Sequence, residues 1–235
     1  MNQKITPLLG IIGGSGPLAC LDIEKKIFQA TQLQMGAKKD SDYPSLLIYQ
    51  FNQFSEHDED LLTKEYEFCA KTLNNAGCEL ILIACHSAHA YIRSIQSKLG
   101  VEFISLVDTV VEHINHKLSH ISQIGILSTE ATLKMNLYQD KLSSISVTLH
   151  TPSKKFMKNV LEGIYQVKSG KLDLAAIFYK PIHDLKNKGC NNIILACTEI
   201  PILLSEFNKM CPEINFIDPN RIVAESIVKK ITKIR

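Results

Sequence analysis

A nine-residue pattern occurs twice in this chain and narrows the possible fold more than any other feature. Gly77-Cys78-Glu79-Leu80-Ile81-Leu82-Ile83-Ala84-Cys85 is answered by Gly189-Cys190-Asn191-Asn192-Ile193-Ile194-Leu195-Ala196-Cys197. Two further pairs keep nearly the same separation: Leu9-Gly10-Ile11-Ile12 with Ile124-Gly125-Ile126-Leu127, and Phe103-Ile104 with Phe216-Ile217. Short unbroken apolar runs of this kind are buried on both faces, as in a parallel sheet covered by helices. They alternate with amphipathic segments along the whole chain, which indicates α/β layers. Strands are expected near 8–12, 45–50, 79–84, 102–105, 122–127, 145–149, 191–196 and 214–217. Helices are expected near 17–34, 57–76, 87–99, 107–118, 130–142, 153–168, 172–188, 199–210 and 219–233. The ordered matches imply two pseudo-symmetric three-layer α/β half-domains with mainly parallel sheets. Residues 1–118 with 219–235 make the first half and 119–218 the second.

Ligands of open α/β sheets sit beyond the carboxyl ends of the strands. The repeat puts a cysteine at that end in each half, so the active site is expected in the cleft between them. Cys85 is followed by His86-Ser87-Ala88-His89 and Cys197 by Thr198-Glu199-Ile200-Pro201, each read as opening a helix. A helix start aims backbone N–H groups and a positive dipole end at that point. Both favour a thiolate and offer donors to a carboxylate. Ser87 and Thr198 are expected as first-turn caps and hydroxyl donors. Two thiols on opposite sides suit inversion at carbon. One, as thiolate, takes the proton from Cα; the other, as thiol, returns one to the opposite face. The Cα–H is a weak acid, so the resulting carbanion needs electrostatic stabilisation, which the two helix ends would supply.

Competing uses of these residues fit less well. Cys85, His86, His89 and Cys197 have no common zinc spacing, and the adjacent Cys85 and His86 diverge. A hydrolase would need a base oriented on Cys85, whereas His89, one turn along, is expected to cap or pack. A disulfide between Cys85 and Cys197 conflicts with a reducing compartment. Cys20, Cys69, Cys78, Cys190 and Cys211 are expected to pack in the interior. The turn Gly13-Gly14-Ser15-Gly16-Pro17 matches neither a dinucleotide fingerprint nor a P-loop, and no acidic residue follows at Tyr49-Gln50-Phe51-Asn52. It is expected to bring backbone amides and Ser15 close to a small ligand.

The charge balance, 26 basic against 24 acidic residues, leaves +2 and no nucleic-acid footprint. Lys229, Lys230, Lys233 and Arg235 read as the solvated face and end of a last helix. No apolar run reaches the roughly 20 residues of a membrane span. Met1–Pro7 lacks a signal-peptide core. The odd count of seven cysteines then indicates reduced thiols and a cytoplasmic protein.

Five motifs, in order, resemble the aspartate/glutamate racemase family in its aspartate-racemase and broad-specificity amino-acid-racemase branch. They are Gly-Ile-Ile-Gly-Gly-Ser-Gly-Pro (10–17), Ile-Ala-Cys-His-Ser-Ala-His (83–89), Ile-Gly-Ile-Leu-Ser-Thr-Glu-Ala-Thr (124–132), Ile-Tyr-Gln-Val-Lys-Ser-Gly (164–170) and Leu-Ala-Cys-Thr-Glu-Ile-Pro (195–201). The resemblance implies an isomerase that interconverts L- and D-amino acids without pyridoxal phosphate, other cofactor or metal. It also implies a homodimer. Cys85 and Cys197 would be its catalytic thiols, and Ser15, Asn52, His86, Ser87, Lys168 and Thr198 would line the substrate.

The chain departs from the family at four places: His86 stands where Asn is usual, Ser87 where Thr is usual, and Ser15 where Met is common. No Arg occurs in Tyr49–Phe54, where aspartate-specific members grip the distal carboxylate. A charged His86 would favour a Cys85 thiolate and bind a carboxylate. Amide side chains at Gln50, Asn52 and Gln53 cannot make a bidentate charged clamp, so a neutral, basic or broad substrate range gains ground over aspartate, with Lys168 as a substitute cation. A catalytically silent amino-acid-binding protein, and a superfamily isomerase acting on another small carboxylate, remain open alternatives.

Overall fold

The computed structural model describes residues 8–55 and 58–234. The expectations for Met1–Pro7, Arg235, the Lys233 side chain and a helix start at 57 lie outside the described residues. In chain order the first elements are β1 (Leu8–Gly13), α1 (Pro17–Met35), β2 (Leu46–Gln50), α2 (Glu59–Asn75), β3 (Cys78–Ile83), α3 (Ile92–Leu99), β4 (Glu102–Ile104) and α4 (Leu106–Lys117). Then come β5 (Gln123–Ser128), α5 (Glu130–Lys134), α6 (Gln139–Ser143), β6 (Thr148–His150) and α7 (Lys154–Lys168). The last are α8 (Tyr179–Asn187), β7 (Asn192–Ala196), α9 (Leu204–Met210), β8 (Asn215–Ile217) and α10 (Pro219–Ile234).

The strands form two four-stranded parallel sheets, ordered β2-β1-β3-β4 and β6-β5-β7-β8. The duplication is therefore one of topology as well as sequence. In the first sheet Ile11 pairs with Ile48 and Leu82; in the second Leu127 pairs with Leu195. Gly77 and Gly189 stand just before the equivalent strands β3 and β7 with φ of 93° and 84°. That left-handed turn is open to glycine without steric cost, which explains why both copies keep it.

The chain divides into two compact units, one made of the residues up to Leu106 with those from Asn220 onward, the other Val107–Pro219. Most of α4 thus falls in the second unit, although the repeat grouped 107–118 with the first half. The repeat marks strands; it carries no sign of which sheet the helix after β4 will cover.

Strand residues feed two layers by alternation. In the first unit Leu9, Ile11, Leu80 and Leu82 pack with Ile23 and Ile27 of α1 and Val223 and Ile227 of α10. On the opposite face Ile81, Ile83 and Phe103 meet Tyr66, Cys69 and Leu73 of α2 and Ile95 of α3. In the second unit Leu127, Ile193 and Leu195 pack with Val160 and Ile164 of α7, Ile182 and Leu185 of α8 and Phe207 of α9.

Several expected helices are interrupted. The segment 130–142 becomes α5 and α6 because Asn136 adopts φ 50°, a conformation that cannot continue a right-handed helix. The segments 87–99, 172–188 and 199–210 enter through 3₁₀ turns at Ser87–Ala90, Ala175–Phe178 and Ile200–Leu203.

Candidate active site

Strand β3 ends at Ile83, and Ala84 N–H still donates to Ile12 O at 2.9 Å. Cys85 follows, half-buried, at the carboxyl edge of the first sheet. What comes next is the 3₁₀ turn Ser87–Ala90, with α3 starting only at Ile92. The expected helix dipole behind Cys85 is replaced by local groups. Ser87 makes no cap; its Oγ lies 3.4 Å from Cys85 Sγ. Leu106 N–H donates to His89 Nε2 at 2.8 Å, while His89 Nδ1 lies 2.8 Å from Cys85 O. A carbonyl only accepts, so Nδ1 carries the proton and His89 is the neutral tautomer. His89 ties the Cys85 turn to the residue after β4, and both its nitrogens are used.

His86 is 2 % exposed. Burial, with His89 nearby, holds it well below the ordinary histidine range, at about 3. The expected cation beside Cys85 is therefore absent at neutral pH: a side chain this buried cannot hold charge without losing its hydration.

Tyr66 of α2 was missed in the sequence. Its Oη lies 2.9 Å from Ser15 Oγ, and its ring belongs to the core cluster against which Cys85 packs. Phe54 stacks on it at 4.3 Å and Tyr91 at 6.1 Å between ring centroids. The Tyr91 hydroxyl is buried without a hydrogen-bond partner. Ser15 is thus positioned by the glycine turn and Tyr66 together. Gly14 has φ 107°, and a Cβ there would stand 2.0 Å from Phe51 O. The glycine serves the packing of the turn onto the segment after β2, which the expected ligand approach had not included.

In the second unit β7 ends at Ala196 and Cys197 follows, 6 % exposed. Its thiol donates to Glu199 Oε2 at 2.9 Å. Thr198 Oγ1 also reaches that oxygen, at 3.5 Å. Glu199 is 3 % exposed, and its Oε1 is buried with no hydrogen-bond partner. Sequence reading had Glu199 only as a motif letter. The acid two residues after a strand-end cysteine was the available signal.

Asn52 is exposed in the segment after β2, and Lys168 is exposed at the end of α7. Helix α7 starts where Ser153 Oγ meets Asp184 at 2.8 Å, near the end of α8, and its Gly163 packs on Phe178 just before α8. The two helices are therefore antiparallel. Because α8 leads into the amino end of β7, Lys168 lies toward the carboxyl ends of the strands, the side of Cys197.

The remaining five cysteines are buried. Burial pushes Cys20 up to about 11 and Cys69 to about 12, and raises Cys78, Cys190 and Cys211. Among the described residues no three His, Cys, Asp or Glu side chains converge on a metal-ion position, and no helix is long and apolar enough to cross a membrane.

Residues 12–227 match the Asp/Glu/Hydantoin racemase family. The chain belongs to that family. Racemases are isomerases, and this chain is an enzyme of that class. It is 26% identical over 227 residues to the broad specificity amino-acid racemase RacX of Bacillus subtilis (strain 168), covering 94% of this chain and 96% of RacX. It is 27% identical over 165 residues to the glutamate racemase of Persephonella marina, covering 69% of this chain but 62% of that racemase. The fold is that of the aspartate racemase of Picrophilus torridus, with TM-score 0.77 and 24% identity across 96% of this racemase-family chain and 94% of that one.

Proposed function

We propose that this racemase acts on free amino acids without pyridoxal phosphate, with Cys85 and Cys197 as its two proton carriers. The observation that carries the reading is that the two cysteines stand just past equivalent strands, β3 and β7, of a duplicated unit, each beside polar groups. One thiolate removes the Cα proton; the other thiol gives up its proton to the opposite face. The product leaves the two sulfurs in exchanged protonation states, ready for the other enantiomer. Backbone N–H groups of the turns after Cys85 and Cys197 would bind the substrate carboxylate and stabilise the enediolate.

The two sulfurs are not alike at rest. Cys85 Sγ lies 3.4 Å from the Ser87 hydroxyl, which can donate. Cys197 donates to a carboxylate. On this reading Cys85 makes the first abstraction and Cys197 the first donation. Glu199 then accepts the Cys197 proton when Cys197 acts as base. Ser15, Asn52, His86, Ser87, Thr198 and Lys168 stay as proposed substrate-side residues, with His86 neutral and Lys168 the cation of the set.

Proton NMR of Cα–H loss in heavy water tests the reading, with reduced protein, no added cofactor and both enantiomers of the common amino acids. Exchange with inversion is expected for wild type. Cys85→Ala and Cys197→Ala should each abolish racemisation, while each retains exchange of one enantiomer through the surviving thiol. Two-way racemisation by either variant sinks the two-thiol assignment. Absence of any exchange by wild type would point to a binding protein or a different carboxylate substrate.

A further inference from the structure

Helix α1 buries one side and leaves a second stripe in view. Cys20, Ile23, Ile27 and Ala30 pack into the layer with Leu9 and Ile11. On the outer side Leu21, Glu24, Lys25, Phe28, Gln29 and Gln32 line a groove of about 390 Å³. Leu21 is 56 % exposed. The Phe28 ring is braced by Tyr43, which it meets edge-on at 5.6 Å, and Gln32 Nε2 donates to Tyr43 Oη at 2.7 Å.

The charges of this stripe are placed symmetrically. At 3.6 residues per turn Leu21 and Phe28 point within about 20° of each other, so they mark one line along the helix. Glu24 falls about 50° to one side of that line and Lys25 about 50° to the other. The neighbouring charges Asp22 and Lys26 pair with each other at 2.6 Å. Glu24 and Lys25 enter no ion pair among the described residues.

We propose that a second copy of the chain docks on this stripe, α1 against α1, about a twofold axis running along the line of Leu21 and Phe28. A twofold contact joins the same patch of both copies. With the axis on that line, Leu21 and Phe28 each meet their own copy. The side that carries Glu24 in one protomer meets the side that carries Lys25 in the other. Two Glu24–Lys25 pairs then flank an apolar seam. The patch is complementary to itself in charge, which selects a second copy over a partner of other composition. An antiparallel pairing of the two helices sets Glu24 against Glu24 and Lys25 against Lys25, which like charge opposes. Burial of Leu21 and Phe28 supplies the attraction, and the ion pairs fix partner and direction. The inference rests on no assignment of substrate or catalytic residue.

Sedimentation velocity of the full chain over a concentration series tests this. It compares wild type with Leu21→Asp, Glu24→Lys, Lys25→Glu and the double reversal E24K/K25E, each checked for its fold by circular dichroism. Wild type is expected to sediment as a dimer that dissociates on dilution. Each single reversal turns both attractive pairs into repulsive ones and should weaken dimerisation about tenfold or more. Leu21→Asp, which sets two carboxylates on the seam, should weaken it at least as much. The double reversal restores opposite charges and should return the dimer to within about threefold of wild type. Charges that serve only the fold of the protomer would give losses that add, with the double variant the weakest. Wild type monomeric at every concentration overturns the proposal and leaves the groove to another partner or to solvent. A dimer indifferent to the single reversals, or not restored by the double one, overturns it as well. Cα exchange is followed on the same wild-type samples. A monomer that exchanges removes this inference only; a dimer that does not exchange removes the racemase reading only.

Discussion

A thiol that donates to a buried carboxylate is held as an acid until the carboxylate takes its proton. In the proposed mechanism Glu199 does this for Cys197, whose thiol donates to its Oε2. Glu199→Gln keeps the size of the side chain and removes the proton acceptor. In a Cys85→Ala background, where Cys197 is the surviving base, it should lower Cα exchange by about 10²–10⁴-fold, the usual worth of general base catalysis. In a Cys197→Ala background it should change exchange by less than about tenfold, because that exchange runs through Cys85. Equal losses in both backgrounds would show Glu199 to be structural. His86 makes a separate claim about pH. Its folded value of about 3 lies below the ordinary 6.5, so between those values the unfolded chain binds a proton that the folded chain does not. Stability is therefore lost as pH falls below about 6.5, by up to about 1.4 kcal/mol per pH unit. His86→Asn should lose about 2 kcal/mol less than wild type between pH 7 and pH 5 in urea unfolding; parallel losses would contradict the burial argument. The strand-end places of Cys85 and Cys197 were legible from the repeat. The surroundings of His86, Tyr66 and Glu199 were not, because burial and direction of a polar side chain depend on partners from distant segments.

Helices were legible where one amphipathic stripe ran unbroken, as in α1, α7 and α10. They were misread where local chemistry interrupts the stripe. Periodicity sees the apolar residues of 130–142 but not the left-handed Asn136 between them. The same limit hides why α7 carries a glycine. A Cβ on Gly163 would stand 2.4 Å from two Phe178 ring carbons and 2.9 Å from Ile177 Cγ2. Phe178 is fully buried and stacks edge-on against Phe207 at 5.3 Å, so it has no room to yield. Gly→Ala inside an exposed helix gains up to about 1 kcal/mol. Gly163→Ala should instead cost about 1–3 kcal/mol through overpacking, measured as a lower urea midpoint. A gain in stability would mean that the contact between α7 and the Ala175–Phe178 turn relaxes freely.

The duplication makes two similar sheets, yet the two units are unequal as folding problems. The second, Val107–Pro219, is one continuous stretch with its own core from Leu127 to Phe216. The first is discontinuous, because α10 returns to it from the end of the chain. Val223, Ala224, Ile227, Val228 and Ile231 all pack into the layer that holds Leu9, Ile11, Leu80 and Leu82. Burying the larger of these side chains contributes about 1.5–3 kcal/mol each. Together that rivals the whole net stability of an ordinary domain, about 5–15 kcal/mol. A fragment ending at Leu106 should therefore lack cooperative unfolding, and a peptide of residues 219–235 added in trans should restore it. The fragment 107–219 should unfold cooperatively by itself. Circular dichroism with urea titration of the separate pieces checks both halves of the claim. Cooperative unfolding of the fragment ending at Leu106 without the peptide would show that α10 merely covers a unit already formed.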